Sequence, residues 1–144
     1  MQARFNVEHV GLAARDPVAL SEWYQRALGG ELFFRCENGG RPPTVFVRLA
    51  GGLTLEIYPA NRSGGEASDN LSPGWRHLAL QVPSIASARA GLEARGVSIV
   101  EPVKPAGGGG QVLFFADPEG NLLHLVERPA DSIFAQSPEN PEKA

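Results

Sequence analysis

His9, Glu56, His77 and His124 are the side chains of this sequence best suited to chemistry, and they recur at a single spacing. His9 and Glu56 lie 47 residues apart, and so do His77 and His124. The chain has three histidines, and all three belong to this set. Imidazole and carboxylate are the donors that borderline divalent ions accept. A single histidine is more often structural than a ligand, and each of the three retains that reading on its own. Glu56 is harder to dismiss. It interrupts the apolar run from Leu53 to Ile57, and a buried carboxylate is rare unless paired or metal-bound.

Other polar residues have simpler explanations. Asp16 precedes Pro17 and an apolar helical run, so it reads as a helix cap. Asp117 stands in a Pro-Glu-Gly turn, where a bond from its side chain to the backbone accounts for it. Glu127 lies three residues beyond His124 and so on the opposite strand face. Arg48 and Arg76 read as solvated edge arginines, with contact to an anionic substrate as the alternative. Trp23 and Tyr24 read as helix packing. Cys36 is the only cysteine, which excludes an intrachain disulfide and a cysteine-based zinc site.

The elements that must position these residues repeat. Val7 to Ala13 is expected as a strand, and Val18 to Leu28 as a helix, with Gly29-Gly30 ending it. Strands are expected at Glu31 to Cys36, Thr44 to Leu49 and Leu53 to Tyr58, the last two joined by the hairpin signal Gly51-Gly52. Pro59 to Gly74 reads as a connecting loop. The order then restarts: a strand from Trp75 to Val82, and a helix from the Ser84 cap to about Arg95. Three strands follow at Val97 to Glu101, Gln111 to Ala116 and Asn121 to Glu127. Gly52 and Gly120 share an offset of 68, and Gly29 and Gly96 one of 67. The division is therefore 1–58 for the first βαβββ module, 59–74 for the connector and 75–128 for the second module. A polar tail, 129–144, is expected to fray. The glycines at 107–110 suggest mobility, as a substrate lid or a tolerated surface loop.

Alternation along the strands assigns faces. Leu53, Leu55 and Ile57 oppose Glu56; Leu78, Leu80 and Val82 oppose His77; Val10 and Leu12 oppose His9. The last strand is less clean, with Leu122 and Val126 on the His124 face. One face of each strand can pack on a helix while the other carries a candidate ligand. A four-stranded half cannot bury its sheet alone, so two halves should combine.

Bulk properties narrow the field. The chain has 144 residues, 42% hydrophobic and 20% charged, an ordinary globular mixture. A net charge of −3 argues against nucleic acid and anionic membrane as partners. No apolar run approaches the roughly 18 residues of a membrane span. The N-terminus enters a strand pattern with no signal-peptide core, so a cytoplasmic setting is the expectation.

The segments around these residues carry a resemblance. Glu8-His9-Val10-Gly11-Leu12, Leu53-Thr54-Leu55-Glu56-Ile57, Arg76-His77-Leu78-Ala79-Leu80 and Asp117-Pro118-Glu119-Gly120-Asn121-Leu122-Leu123-His124 succeed one another in the order seen in the vicinal-oxygen-chelate superfamily. That group includes glyoxalase I, methylmalonyl-CoA epimerase, fosfomycin-resistance transferases, extradiol dioxygenases and metal-free bleomycin-resistance proteins. The resemblance runs from about Val7 to Arg128. It implies an α+β fold: two βαβββ modules forming an open, mixed eight-stranded barrel-like sheet with helices on the convex side. It also implies ligands on the first and last strands of each module, which here are His9, Glu56, His77 and His124.

The activity implied is that of a lyase or isomerase. Three imidazoles and a carboxylate suit one divalent transition metal (Zn, Ni, Fe, Co or Mn) better than magnesium or calcium. Four protein ligands leave about two positions on a six-coordinate ion, enough for a small substrate to chelate through adjacent oxygens. Proton abstraction beside a carbonyl would give an enediolate-like intermediate, with Glu56 as the base as well as a ligand. The sequence departs from glyoxalase I at the last ligand, where His124 replaces a carboxylate. Ring-cleaving dioxygenases and fosfomycin-type transferases also carry a glutamate there. An extradiol-type dioxygenase and a non-catalytic, bleomycin-resistance-like binding protein are the alternatives. Relatives of this size also suggest a homodimer acting on a small-molecule substrate.

Overall fold

Asp16 marks where the first strand ends and the first helix starts. It is extended, at φ −132°, and Ala19 N–H donates to its side chain at 3.0 Å, while Pro17 occupies the first turn. In the computed structural model, which describes residues 4–64 and 67–132, the helix α1 spans Pro17–Leu28. It stops at Gly29, whose φ of 68° is left-handed, a conformation that glycine adopts without strain. α2 (Ile85–Ala94) starts in the same way, with Ser87 N–H donating to the Ser84 hydroxyl at 3.2 Å.

The chain divides into two compact units, Met1–Gly65 and Glu66–Ala144. In the first, β1 (Val10–Ala14), β2 (Glu31–Asn38), β3 (Arg41–Arg48) and β4 (Thr54–Pro59) form one sheet in the order β1-β4-β3-β2. β1 runs parallel to β4, and the other pairs are antiparallel. In the second, β5 (His77–Gln81), β6 (Lys104–Pro105), β7 (Gln111–Ala116) and β8 (Leu122–Glu127) repeat that plan as β5-β8-β7-β6, with β5 parallel to β8. The fold is α+β, made of two βαβββ modules, each with a mixed four-stranded sheet that is not closed.

Period-two burial explains each core. Val45 and Val47 of β3 and Leu55 and Ile57 of β4 are at most 4% exposed, and they share their unit's core with Leu20, Trp23, Tyr24 and Ala27 of α1. Trp23 and Tyr24 meet edge to face at 5.0 Å, as packing residues should. In the second unit Leu113, Phe115, Leu123 and Leu125 are buried along with Ile85 and Leu92 of α2. Burying side chains of this size stabilises each module by about 1.5–3 kcal/mol apiece.

Several boundaries differ from the sequence reading. β1 starts at Val10 rather than Val7, because its ladder with β4 starts at Val10 and Leu55; Phe5 and Val7 are left exposed. β3 extends back to Arg41 through Pro42-Pro43. Those prolines lie beyond the reach of β4 and beside a register shift in β2, where a missing N–H is tolerated. Val97 to Glu101 is not a strand. Val97 and Ile99 are buried, which accounts for the alternation, but the place beside β7 is taken by Lys104-Pro105. The glycines at 107–110 form a turn between β6 and β7, in which Arg128 Nη1 donates to the Gly107 and Gly109 carbonyls at 2.5 and 2.6 Å. Most of the tail expected to fray, 133–144, lies outside the described residues.

Candidate metal centre

In the first unit the parallel register of β1 and β4 sets Gly11 beside Glu56. His9 lies two residues before Gly11, just ahead of the strand. Its Nε2 is 2.9 Å from Glu56 Oε2, and its Nδ1 is 3.0 Å from Glu8 Oε1. Side-chain exposures of 36% for His9 and 29% for Glu56 leave the pair reachable. Neutral imidazole carries one N–H, so it can donate to one of these carboxylates and not both. Donors at about 2.1 Å on perpendicular axes of one ion stand about 3.0 Å apart, so the His9–Glu56 spacing also fits a shared cation. Phe46 pairs with Glu56 across β3 and meets His9 edge-on, with ring centroids 6.2 Å apart.

The second unit repeats the arrangement with different chemistry. Ala79 of β5 lies beside His124 of β8, and His77 stands two residues before Ala79. The two imidazole centroids are 4.6 Å apart, with rings inclined at 37°. Phe114 pairs with His124 across β7 and presents an edge-on geometry to both, at 4.8 Å from His124 and 5.7 Å from His77. His124 is 8% exposed, and burial, then the neighbouring His77 and Arg128, lower its pKa from 6.5 to about 4. It is therefore neutral at physiological pH, with a lone pair to offer. Its buried Nδ1 has no hydrogen-bond partner among the described residues. A proton there would lack an acceptor, whereas a lone pair there facing a cation would be satisfied. These residues fit a metal ion by donor type, the first pair also by its spacing and His124 by its neutral, orphaned nitrogen. Within neither unit do the described residues bring a third His, Cys, Asp or Glu into a cluster suited to a metal.

A family model described as the glyoxalase/bleomycin resistance protein/dioxygenase superfamily matches residues 6–125. The chain belongs to this superfamily. It is 27% identical over 143 aligned positions to a lactoylglutathione lyase of Pseudomonas aeruginosa, a match covering 83% of this chain and 80% of that one. Among solved structures, a glyoxalase family protein of Enterococcus faecalis matches with a TM-score of 0.72 and 27% identity, over 85% of this chain and 97% of its own. The fosfomycin resistance protein FosX of Listeria monocytogenes, solved with Mn(II) and sulfate, matches with a TM-score of 0.63 and 19% identity, over 88% and 93%. At that identity the likeness is one of fold.

For a member of the vicinal-oxygen-chelate superfamily, the remaining polar residues behave much as the sequence suggests. Asp117 Oδ1 accepts from the Glu119 and Asn121 N–H groups, which makes it a turn residue. Glu127 Oε2 accepts from Ile85 N–H at 2.8 Å, at the start of α2 and away from the His124 face. Arg48 lies over the Phe33 ring at 4.0 Å, and Arg76 Nη1 donates to the Asp69 carbonyl. Arg48 stays exposed at its strand's end, whereas Arg76 is half-buried. The second unit also contains a cavity of about 530 Å³, lined by Asn70, Ser98, Glu101, Lys104, Phe114 and Leu122 among others.

Sequence reasoning missed Phe46 and Phe114, which flank the two donor pairs. The signal was present: they share the offset of 68 that separates Gly52 from Gly120. It also missed Asn70, whose Oδ1 lies 2.8 Å from His77 Nδ1. An asparagine in a polar loop reads as a turn former, and no spacing marks it.

Proposed function

We propose that this chain is a metal-dependent lyase or isomerase in which His9, Glu56, His77 and His124 hold one divalent transition metal and a small oxygenated substrate chelates beside them. The observation carrying this reading is that two repeat-related strand pairs each present two donors, one pair ending in an orphaned, neutral imidazole nitrogen. When bound, the metal supplies Lewis-acid stabilisation of negative charge on the substrate's oxygens. Glu56 then acts as the base. Its carboxylate stands within hydrogen-bond reach of His9 Nε2 and is open enough to meet a C–H beside a carbonyl. Phe46 and Phe114 wall the two donor pairs with apolar rings and limit water around the reacting carbon. The cavity in the second unit receives the part of the substrate that does not chelate. The protein acts as a homodimer in the cytoplasm.

Solvent deuterium exchange into an acidic C–H, together with turnover of methylglyoxal and glutathione, tests the chemistry. Metal-dependent exchange or turnover, lost in His77→Ala, is the expected result. Near-stoichiometric metal with neither activity across a panel of 2-oxo and 2-hydroxy compounds would contradict the lyase or isomerase assignment. Oxygen uptake by the ferrous protein with a catechol would instead favour the dioxygenase. In the enzyme, Ser98→Trp should fill the cavity, raising KM by at least about tenfold and leaving metal content unchanged.

A further inference from the structure

The segment ahead of β5, read from the sequence as a plain connector, contains a built turn. Leu71 N–H donates to Asp69 Oδ1 at 2.9 Å, and the Ser72 hydroxyl donates to Asp69 Oδ2. Arg76 Nη1 reaches back to the Asp69 carbonyl at 3.0 Å, which ties the turn to the residue preceding β5. The next residue after Asp69 is Asn70, and the next after Arg76 is His77. These bonds therefore hold Asn70 Oδ1 at 2.8 Å from His77 Nδ1.

An amide oxygen carries no proton, so this contact is a hydrogen bond only when Nδ1 bears the imidazole's N–H. Neutral imidazole has one such proton, and fixing it at Nδ1 leaves the lone pair on Nε2. Free histidine in water prefers the opposite tautomer. Phe114, edge-on to the His77 ring at 5.7 Å, restricts the ring from another side.

We propose that Asn70 is a positioning residue for the metal centre: its side-chain oxygen holds His77 in the Nδ1–H tautomer and aims the Nε2 lone pair at the ion. This deepens the proposed function and rests on it. Metal-ligating histidines commonly donate their second nitrogen to an acceptor, and loss of that acceptor weakens metal binding by about 10–100-fold. The acceptor here comes from a turn outside the sheet, so the connector contributes to the site as well as joining the modules.

The test has two readouts. Proton–nitrogen correlation spectra of the metal-free protein report the His77 tautomer, and competition titration with Co(II) reports affinity. The wild type should show Nδ1–H at His77. Asn70→Leu should shift His77 toward Nε2–H and weaken Co(II) binding by about 10–100-fold, while Asn70→Asp, which keeps an acceptor oxygen, should stay within a few-fold of wild type. An Nε2–H tautomer in the wild type would overturn the proposal without any variant having to fold. So would unchanged Co(II) affinity in Asn70→Leu alongside a shifted tautomer. A wild type with Nδ1–H at His77 and no Co(II) binding would instead overturn the proposed metal function, and with it the role given to Asn70.

Discussion

An imidazole flanked by carboxylates on both sides cannot satisfy both with the single proton of its neutral form. His9 is in this position, 3.0 Å from Glu8 Oε1 and 2.9 Å from Glu56 Oε2. A second proton or a metal ion closes the remaining contact, and the proposed centre uses the metal. Glu56→Gln keeps the shape and removes the charge and the base. It should lower kcat by about 10²–10⁴-fold while Co(II) binding, though weakened, stays measurable. A kcat equal to wild type would remove Glu56 from the chemistry. His124 makes a separate contribution in the metal-free protein. Its pKa falls from 6.5 to about 4 on folding, so the unfolded chain takes up this proton first as the pH drops. The stability it contributes is complete above pH 6.5 and is lost as the pH falls toward about 4. The urea midpoint of the metal-free protein should decline across that window, and less steeply in His124→Gln.

At the scale of elements, the closeness of His9 to Glu56 and of His77 to His124 was legible because the topology is simple. In each module the first and last strands are parallel neighbours, so Gly11 stands beside Glu56 and Ala79 beside His124. Period two then brings His9 and His77 to the same faces as those partners. A spacing of 47 residues repeated in both halves records that register. Alternation misled at Val97 to Glu101, because burying Val97 and Ile99 needs an extended chain but not a ladder partner. The turn at 107–110 was opaque for a related reason: its order depends on Arg128, about 20 residues away, as well as on its own glycines. At Gly110, φ is 93° and an added Cβ would meet the Glu127 carbonyl oxygen at 2.0 Å. Gly110→Ala should therefore destabilise the protein by about 1–3 kcal/mol or more, measured by denaturant unfolding. Gly107→Ala, with open space around it, should change stability by no more than about 0.5 kcal/mol. Equal effects would mean that the turn is not held as described.

At the scale of the molecule, two modules of one plan differ in the donors they carry: imidazole with carboxylate in one, imidazole with imidazole in the other. No helix among the described residues is long and apolar enough to cross a membrane. Leu32, Phe33 and Phe34 of the edge strand β2 are all more than half exposed, an apolar patch that the proposed homodimer would cover with a second copy. Light scattering should give twice the mass of the chain, and Leu32→Glu should shift it toward the monomer. The most direct test of the proposed single centre is the metal stoichiometry of wild type and of variants in each half, by calorimetry and elemental analysis. One ion per chain is expected, with His9→Ala/Glu56→Ala and His77→Ala/His124→Ala each abolishing tight binding. Two ions per chain, or wild-type affinity surviving in either double variant, would contradict a centre shared by both halves.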